Sequence, residues 1–254
     1  MRIENAIVLV TGGARGLGEH LSRAFAREGA RVVVNYHASE DRARALVREL
    51  GEDRALAVQA DVTDAHQVRD MVTQAREHFG APITVAVNNA LVDFSFNGDA
   101  RPTLEHLTAE NLTQQFHGAV VGALNVMQAV TPGMGQAGEG RIVNIGTNLF
   151  QNPVVPYHDY TAAKAALLAL TRTAAKDLGP QGITVNMISG GLLRTTDASA
   201  ATPDEVFDFI AAGTPLGRVT TPEEFANTAL FFASDWSRGV TGQNLVVDGG
   251  LVMD

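Results

Sequence analysis

Short runs of β-branched and aliphatic residues alternate along the chain with longer stretches whose apolar positions recur at helical spacing. The pattern predicts strands at about residues 7–10, 31–35, 55–59, 84–88, 141–146, 184–188 and 244–247, with helices between most of them. Several strands are apolar on consecutive residues, as in Ile7-Val8-Leu9-Val10 and Val32-Val33-Val34. A strand that is apolar on successive positions is covered on both faces, so the expected class is α/β, a seven-stranded parallel sheet with helices on both sides. Residues 16–28 read as a helix closed by Gly29. Asp64, three residues before Gln67, starts another that runs to about Phe79. Gly133, Gly135, Gly138 and Gly140 read as a loop between a helix and the strand starting at Arg141. No repeat, low-complexity tract or linker interrupts the βα rhythm, so the 254 residues are expected to form a single domain. Residues 192–217, with Thr195-Thr196, Pro203 and Pro215, break that rhythm and are expected to form a substrate loop over the site.

Composition narrows the function classes. There is no cysteine, which removes disulfides, thiolate nucleophiles and Cys-ligated metals. The seven histidines are scattered, with no pair at i, i+4, so no metal is expected. The net charge of −9, without a Lys/Arg cluster, argues against nucleic acid. No apolar run approaches the length of a membrane span, and the short apolar segment before Thr11 cannot serve as a signal-peptide core. A soluble cytoplasmic protein is expected.

Two segments carry chemistry. Thr11-Gly12-Gly13-Ala14-Arg15-Gly16-Leu17-Gly18 follows the first strand and opens a helix. Gly12, Gly16 and Gly18 leave room for a pyrophosphate to approach the backbone, and the helix N-terminus offers free N–H groups. The end of the second strand reads Asn35-Tyr36-His37-Ala38-Ser39, with no carboxylate before Glu40. A carboxylate there would accept from a free ribose 2′-hydroxyl and repel a 2′-phosphate. With Arg15 supplying charge, and Tyr36, His37 and Ser39 lining that end, NADP(H) is expected. Asp61 after the third strand can accept from an adenine amino group, and Asn88 after the fourth can tie neighbouring strands; either also fits a cap or turn.

Tyr160 and Lys164 stand at i and i+4, on one helical face. A Lys ammonium about 5 Å from a phenol, at an effective dielectric of about 20, favours the phenolate by about 3 kcal/mol, roughly two pKa units. In carbonyl reduction Tyr160 would donate the proton; in alcohol oxidation it would act as base. Thr147, thirteen residues earlier, offers a hydroxyl to a substrate carbonyl. Phe94, Phe96, Phe150, Leu192 and Phe207 are candidates for the pocket wall or for plain core. His158 reads as a polar residue at the helix entrance. No G-x-S-x-G elbow is present, which argues against an α/β-hydrolase.

With these residues in place, the chain resembles the short-chain dehydrogenase/reductases over essentially its whole length. The likeness runs from Thr11-Gly12 through Asn88-Asn89-Ala90, Tyr160/Lys164 and Val185-Asn186 to Val240-Thr241-Gly242-Gln243 and Asp248-Gly249-Gly250. Within that family it is most similar to the 3-oxoacyl-(acyl-carrier-protein) reductases of fatty acid biosynthesis. The resemblance implies a Rossmann fold and commonly a homotetramer, or a homodimer. It also implies that Gly12, Arg15, Gly16, Leu17 and Gly18 hold the cofactor's phosphates and ribose. Asp61 and Val62 would flank the adenine, Asn88 and Ala90 line the central path, and Tyr160 and Lys164 meet both cofactor and substrate. Leu193 and Thr195 would meet the nicotinamide amide.

Three departures stand out. Thr147 replaces the usual Ser, and Ala119 stands where an Asn is usual. Gly190-Gly191 replaces Pro-Gly, which loosens the loop carrying Thr195. The expected activity is NADPH-dependent reduction of a carbonyl, with a 3-oxoacyl thioester as default substrate. Two alternatives stand beside it: a dehydrogenase of another small alcohol or sugar, and a dinucleotide-binding regulator without catalysis. Delivery by an acidic carrier would want cations at the site mouth, and Arg172 and Lys176 are the nearest evident ones. The helix after Tyr160 is apolar around more of its circumference than one sheet face needs, which predicts a subunit contact.

Overall fold

Four consecutive apolar residues form β1 (Ile7–Val10), and all four are buried. Val8 and Val10 point into one hydrophobic cluster, Ile7 and Leu9 into another on the opposite face. The same division runs through β2 (Arg31–Tyr36), β3 (Ala55–Gln59), β4 (Val85–Asn88), β5 (Gly140–Thr147) and β6 (Ile183–Gly190), while in the edge strand β7 (Asn244–Val247) only Val247 reaches the first cluster and Leu245 is exposed. These strands make one parallel sheet in the order β3-β2-β1-β4-β5-β6-β7. The computed structural model describes residues 1–92, 94, 101–194 and 196–253.

The first face is covered by α1 (Gly16–Arg27), α2 (Glu40–Leu50) and α8 (Pro222–Ala233). The second is covered by α3 (Ala65–Phe79), α5 (Gly122–Ala137) and α6 (His158–Leu178). Outside α6 lies α4 (Ala109–Phe116), joined to α5 by a single π-turn, His117–Val121. The remaining α-helix, α7 (Asp204–Gly213), falls between β6 and α8 in the chain. The chain runs outward from β1 to β3, then returns to place β4 on the other side of β1. That reversal opens a crevice at the carboxyl ends of β1 and β4, where ligands bind in sheets of this kind.

Seven expected strands form within two residues of the expected bounds, and α3 starts as expected, with Asp64 accepting from the N–H groups of His66 and Gln67. Two expectations need correction. Gly133 and Gly135 are not loop residues but lie inside α5, which ends at Gly138 in the left-handed region (φ +70°). A Cβ on Gly133 would sit 2.8 Å from Pro82, so close packing against the chain entering β4 sets this glycine. The segment 192–217 is not simply a loop. It carries a 3₁₀ turn, Asp197–Ser199, and the whole of α7, and Leu193 pairs with Thr220 beyond it.

Candidate active site

The loop between β1 and α1 is tied down on three sides. Asn35, at the end of β2, accepts from Gly12 N–H (3.1 Å) and donates to Ala60 O after β3 (3.0 Å). The Thr11 hydroxyl accepts from the N–H groups of Asn89 (2.9 Å) and Ala90 (3.0 Å), beyond β4. Asn89 Nδ2 returns a bond to Thr11 O (2.9 Å). Gly16 adopts φ +52°, and a Cβ on Gly18 would lie 2.1 Å from Gly12 O. Only a glycine fits at 18, and the first turn of α1 begins at Arg15 without a side-chain cap, so its N–H groups face the crevice uncapped. Leu17 is half-buried against the first cluster. Asn35 was not singled out in the sequence, because its bonds reach two loops 23 and 25 residues away.

At the end of β2, Tyr36 is buried and burial pushes its phenol up. His37 is exposed, and Ser39 sits at the N-cap position of α2. Glu40 is turned onto Arg44 at 2.8 Å. Arg15 is joined there by Arg42, which no local sequence signal marks. Asp197 Oδ2 lies 2.5 Å from Arg42 Nη1 and 3.9 Å from Arg15 Nη1, so one carboxylate gathers both guanidinium groups. Asp61 accepts from Thr63 N–H (2.8 Å) and hydroxyl (2.7 Å). Burial alone would raise its pKa, but those bonds and His37 nearby hold it below the ordinary carboxylate value. Val62 is buried, and Asn125 of α5 donates to its carbonyl at 2.9 Å.

Asn88 does tie strands. Its Nδ2 donates to Asn144 Oδ1 (2.8 Å), Asn144 Nδ2 donates to Thr171 Oγ1 (2.8 Å), and Thr171 donates to Leu167 O. This chain of three buried polar residues pins α6 to the sheet beside the crevice. It brings Tyr160 and Lys164 against the end of β5, where Thr147 lies. All three are buried, and the Tyr160 phenol is hydrogen-bonded to Thr147. Lys164 Nζ donates to Ile145 O at 2.6 Å and stands 5.7 Å from the centre of the Tyr160 ring. Ala90, half-buried, and Leu193, buried, flank the same crevice; Thr195 lies outside the described residues.

The electrostatics differ from the expected sense. Burial pushes the Tyr160 phenol up to about 12, against a smaller lowering from Thr147, and pulls Lys164 down to about 8. Desolvation disfavours both charged forms and outweighs the mutual attraction that spacing alone suggested. At neutral pH the phenol therefore keeps its proton.

Around it stands a small apolar group apart from the two main clusters, made by Leu149, Tyr157 and Tyr160 with Leu91, Phe94 and Val155. Phe94 stacks on Tyr160, with ring centres 4.3 Å apart and planes 25° from parallel. Of the other candidates, Phe150 packs into the second main cluster, Leu192 is half-buried, and Phe207 is buried under Arg194. Phe96 lies outside the described residues. Ala119 falls in the π-turn and, with Gly118, Asn88 and Lys164, lines a narrow cavity.

The cation expectation is also corrected. Arg172 and Lys176 lie twelve and sixteen residues past Tyr160, roughly 18 and 24 Å along the helix. Arg101 is the nearer cation, its guanidinium carbon 4.1 Å from the centre of the Phe94 ring and one amino group on Asp159 at 3.0 Å.

Residues 12–252 match the family model described as enoyl-(acyl carrier protein) reductase. The chain is 33% identical over 255 residues to the 3-oxoacyl-(acyl-carrier-protein) reductase FabG of Staphylococcus epidermidis, covering 98% of this chain and 100% of that protein. It is 38% identical over 245 residues to an uncharacterized oxidoreductase of Mycobacterium bovis, covering 95% of each. An uncharacterized oxidoreductase of Methylorubrum extorquens is 33% identical over 254 residues, covering 98% of this chain and 99% of that protein.

Proposed function

From the premise that the chain is an oxidoreductase belonging to the short-chain dehydrogenase/reductase family, we propose that it reduces a carbonyl to a secondary alcohol with NADPH, its default substrate a 3-oxoacyl thioester. One observation carries the reading: a buried, protonated phenol, hydrogen-bonded to the Thr147 hydroxyl, stands beside a glycine cradle shaped for a dinucleotide. The cradle at Gly16 and Gly18, with the uncapped start of α1, fits a pyrophosphate. Gly12, Arg15 and Leu17 lie around it. Asp61 and Val62 border the adenine side, and Asn88, Ala90 and Leu193 the nicotinamide side, with Thr195 two residues after Leu193 in sequence.

When bound, the nicotinamide supplies a hydride. Thr147 binds the carbonyl oxygen, Tyr160 gives that oxygen its proton, and Lys164 holds the ribose while its charge steadies the phenolate left behind. The neutral phenol suits the reductive direction. NADPH is favoured over NADH because Glu40, the first carboxylate in sequence after β2, is engaged by Arg44, and a 2′-phosphate can take the place of Asp197 on Arg15 and Arg42, two cations beside Tyr36, His37 and Ser39.

The apolar wall of Leu149, Phe94 and Tyr157 favours an acyl or other hydrophobic carbonyl over a polyol. Among the described residues no helix is long and apolar enough to cross a membrane, in keeping with a cytoplasmic enzyme. Apolar side chains left exposed on α4, Leu112 and Phe116, lie beside the exposed Ala162, Ala165 and Ala169 of α6, which supports a homotetramer or homodimer through that face.

The test is NADPH oxidation, followed by absorbance, with an acetoacetyl thioester, a crotonyl thioester, a simple ketone and a sugar. Turnover of the acetoacetyl thioester to the 3-hydroxyacyl product is expected, and a clear preference for NADH defeats the cofactor assignment. Turnover of the crotonyl thioester alone replaces carbonyl reduction with alkene reduction.

A further inference from the structure

We propose that Arg101 and Asp159 are positioning residues that clamp Phe94 flat over the Tyr160 ring, holding the phenol towards Thr147 and away from water. The role is built on reading Tyr160 as the proton donor. Asp159 immediately precedes Tyr160 in the first turn of α6, and its carboxylate is almost fully buried. Oδ1 accepts from Tyr160 N–H at 2.8 Å and from Arg101 Nη2 at 3.0 Å, and Oδ2 accepts from the same Nη2 at 3.2 Å. The guanidinium carbon stands 4.1 Å from the centre of the Phe94 ring and 5.6 Å from that of Tyr157. Phe94 stacks on Tyr160 at 4.3 Å, and Tyr157 closes the group edge-on to Phe94 at 5.4 Å and 88°.

The guanidinium thus sits over the phenyl ring that stacks on the phenol, and it is fastened by a carboxylate that also holds the backbone of the donor. A buried ion pair is a weak source of stability, since desolvation offsets most of its Coulomb energy. What this pair supplies is geometry: the carboxylate holds the guanidinium carbon over the face of the Phe94 ring, where a cation is attracted to the π-system. Phe94 and Arg101, two residues of the chain between β4 and α4, are thereby fixed to α6 at Tyr160 and Asp159.

The titratable groups packed around the phenol are Lys164, Asp159, His158 and Tyr157 from α6 and its approach, and Arg101 from the loop. Asp248 lies beyond, bonded to Asn148. Removing Phe94 changes none of these charges and admits water to the ring.

The chain has three tyrosines, so subtracting the ultraviolet titration of Tyr160→Phe isolates the ionisation of Tyr160 without any substrate. Phe94→Ala is expected to lower that midpoint by at least one pH unit. In an Arg101→Gln background the same change should lower it less than half as far, because the ring is already loose. Arg101→Lys, which keeps the charge but not the flat face, is the second background and should behave alike. In turnover, Phe94→Ala and Arg101→Gln should each lose about tenfold in kcat, with the KM for NADPH within twofold. An unmoved midpoint in Phe94→Ala, or an equal shift in all backgrounds, overturns the clamp even in an active reductase. The expected shifts in a protein that reduces no carbonyl keep the clamp and defeat the functional reading instead.

Discussion

Lys164 is a lysine almost without solvent, its ammonium bonded to the Ile145 carbonyl and its pKa drawn down to about 8 from 10.5. The unfolded chain binds the extra proton between those values. The folded state is therefore penalised fully below pH 8, and the penalty fades as pH rises through 10.5. A shift of that size corresponds to about 3 kcal/mol. Lys164→Met forfeits about 2 kcal/mol from the lost hydrogen bond of a charged donor. It should therefore be about 1 kcal/mol more stable than the parent at pH 7 in denaturant titrations, with the advantage gone by about pH 9, while turnover collapses. A variant less stable than its parent at pH 7 contradicts the burial argument. Tyr160, Lys164 and Thr147 were legible in the sequence because a helical i, i+4 spacing and a strand terminus are local features. The direction of the phenol shift was not, since desolvation depends on what folds around it, and Phe94 and Arg101 come from the distant connection after β4. Arg42 escaped for the same reason: Asp197, its partner, is 155 residues away.

The strands were legible to within two residues because both-face burial writes itself as consecutive apolar residues. Residues 192–217 read as a loop because Thr and Pro dominate locally, yet α7 forms there and buries Phe207. Gly133 and Gly135 misled in the same way, since close packing against Pro82 and Gln181 outweighs their low helix propensity. At this scale the buried chain from Asn88 through Asn144 to Thr171 fixes α6 on the sheet. Asn144→Ala leaves the buried Asn88 amide donor without its acceptor and the Thr171 hydroxyl with Leu167 O alone, and should cost about 1–3 kcal/mol in chemical denaturation, with kcat falling as α6 loosens. Gly18→Ala should lower the affinity for NADPH and NADH alike, with about 1–3 kcal/mol of lost stability, because the added Cβ has no room against Gly12 O. Retained affinity in calorimetric titration would contradict the placement of the pyrophosphate there.

Across the whole molecule acidic residues outnumber basic ones, for a net charge of −9, and these cations near the crevice are paired with carboxylates: Arg101 with Asp159, Arg15 and Arg42 with Asp197. An acidic carrier finds little to bind, so a free coenzyme thioester should be reduced with at least the efficiency of a carrier-bound one. The exposed apolar face of α4 and α6 is the subunit contact proposed above. Phe116→Glu should shift the protein to a smaller species in light scattering, and a parent that is already monomeric removes that interface. With the phenol held at about 12, reduction should be flat through neutral pH while alcohol oxidation climbs with pH. All of this turns on one proton donor. Tyr160→Phe should bind NADPH as tightly as the parent by fluorescence titration and lose about 100-fold to 10,000-fold in kcat for the acetoacetyl thioester; undiminished turnover in that variant would contradict the account.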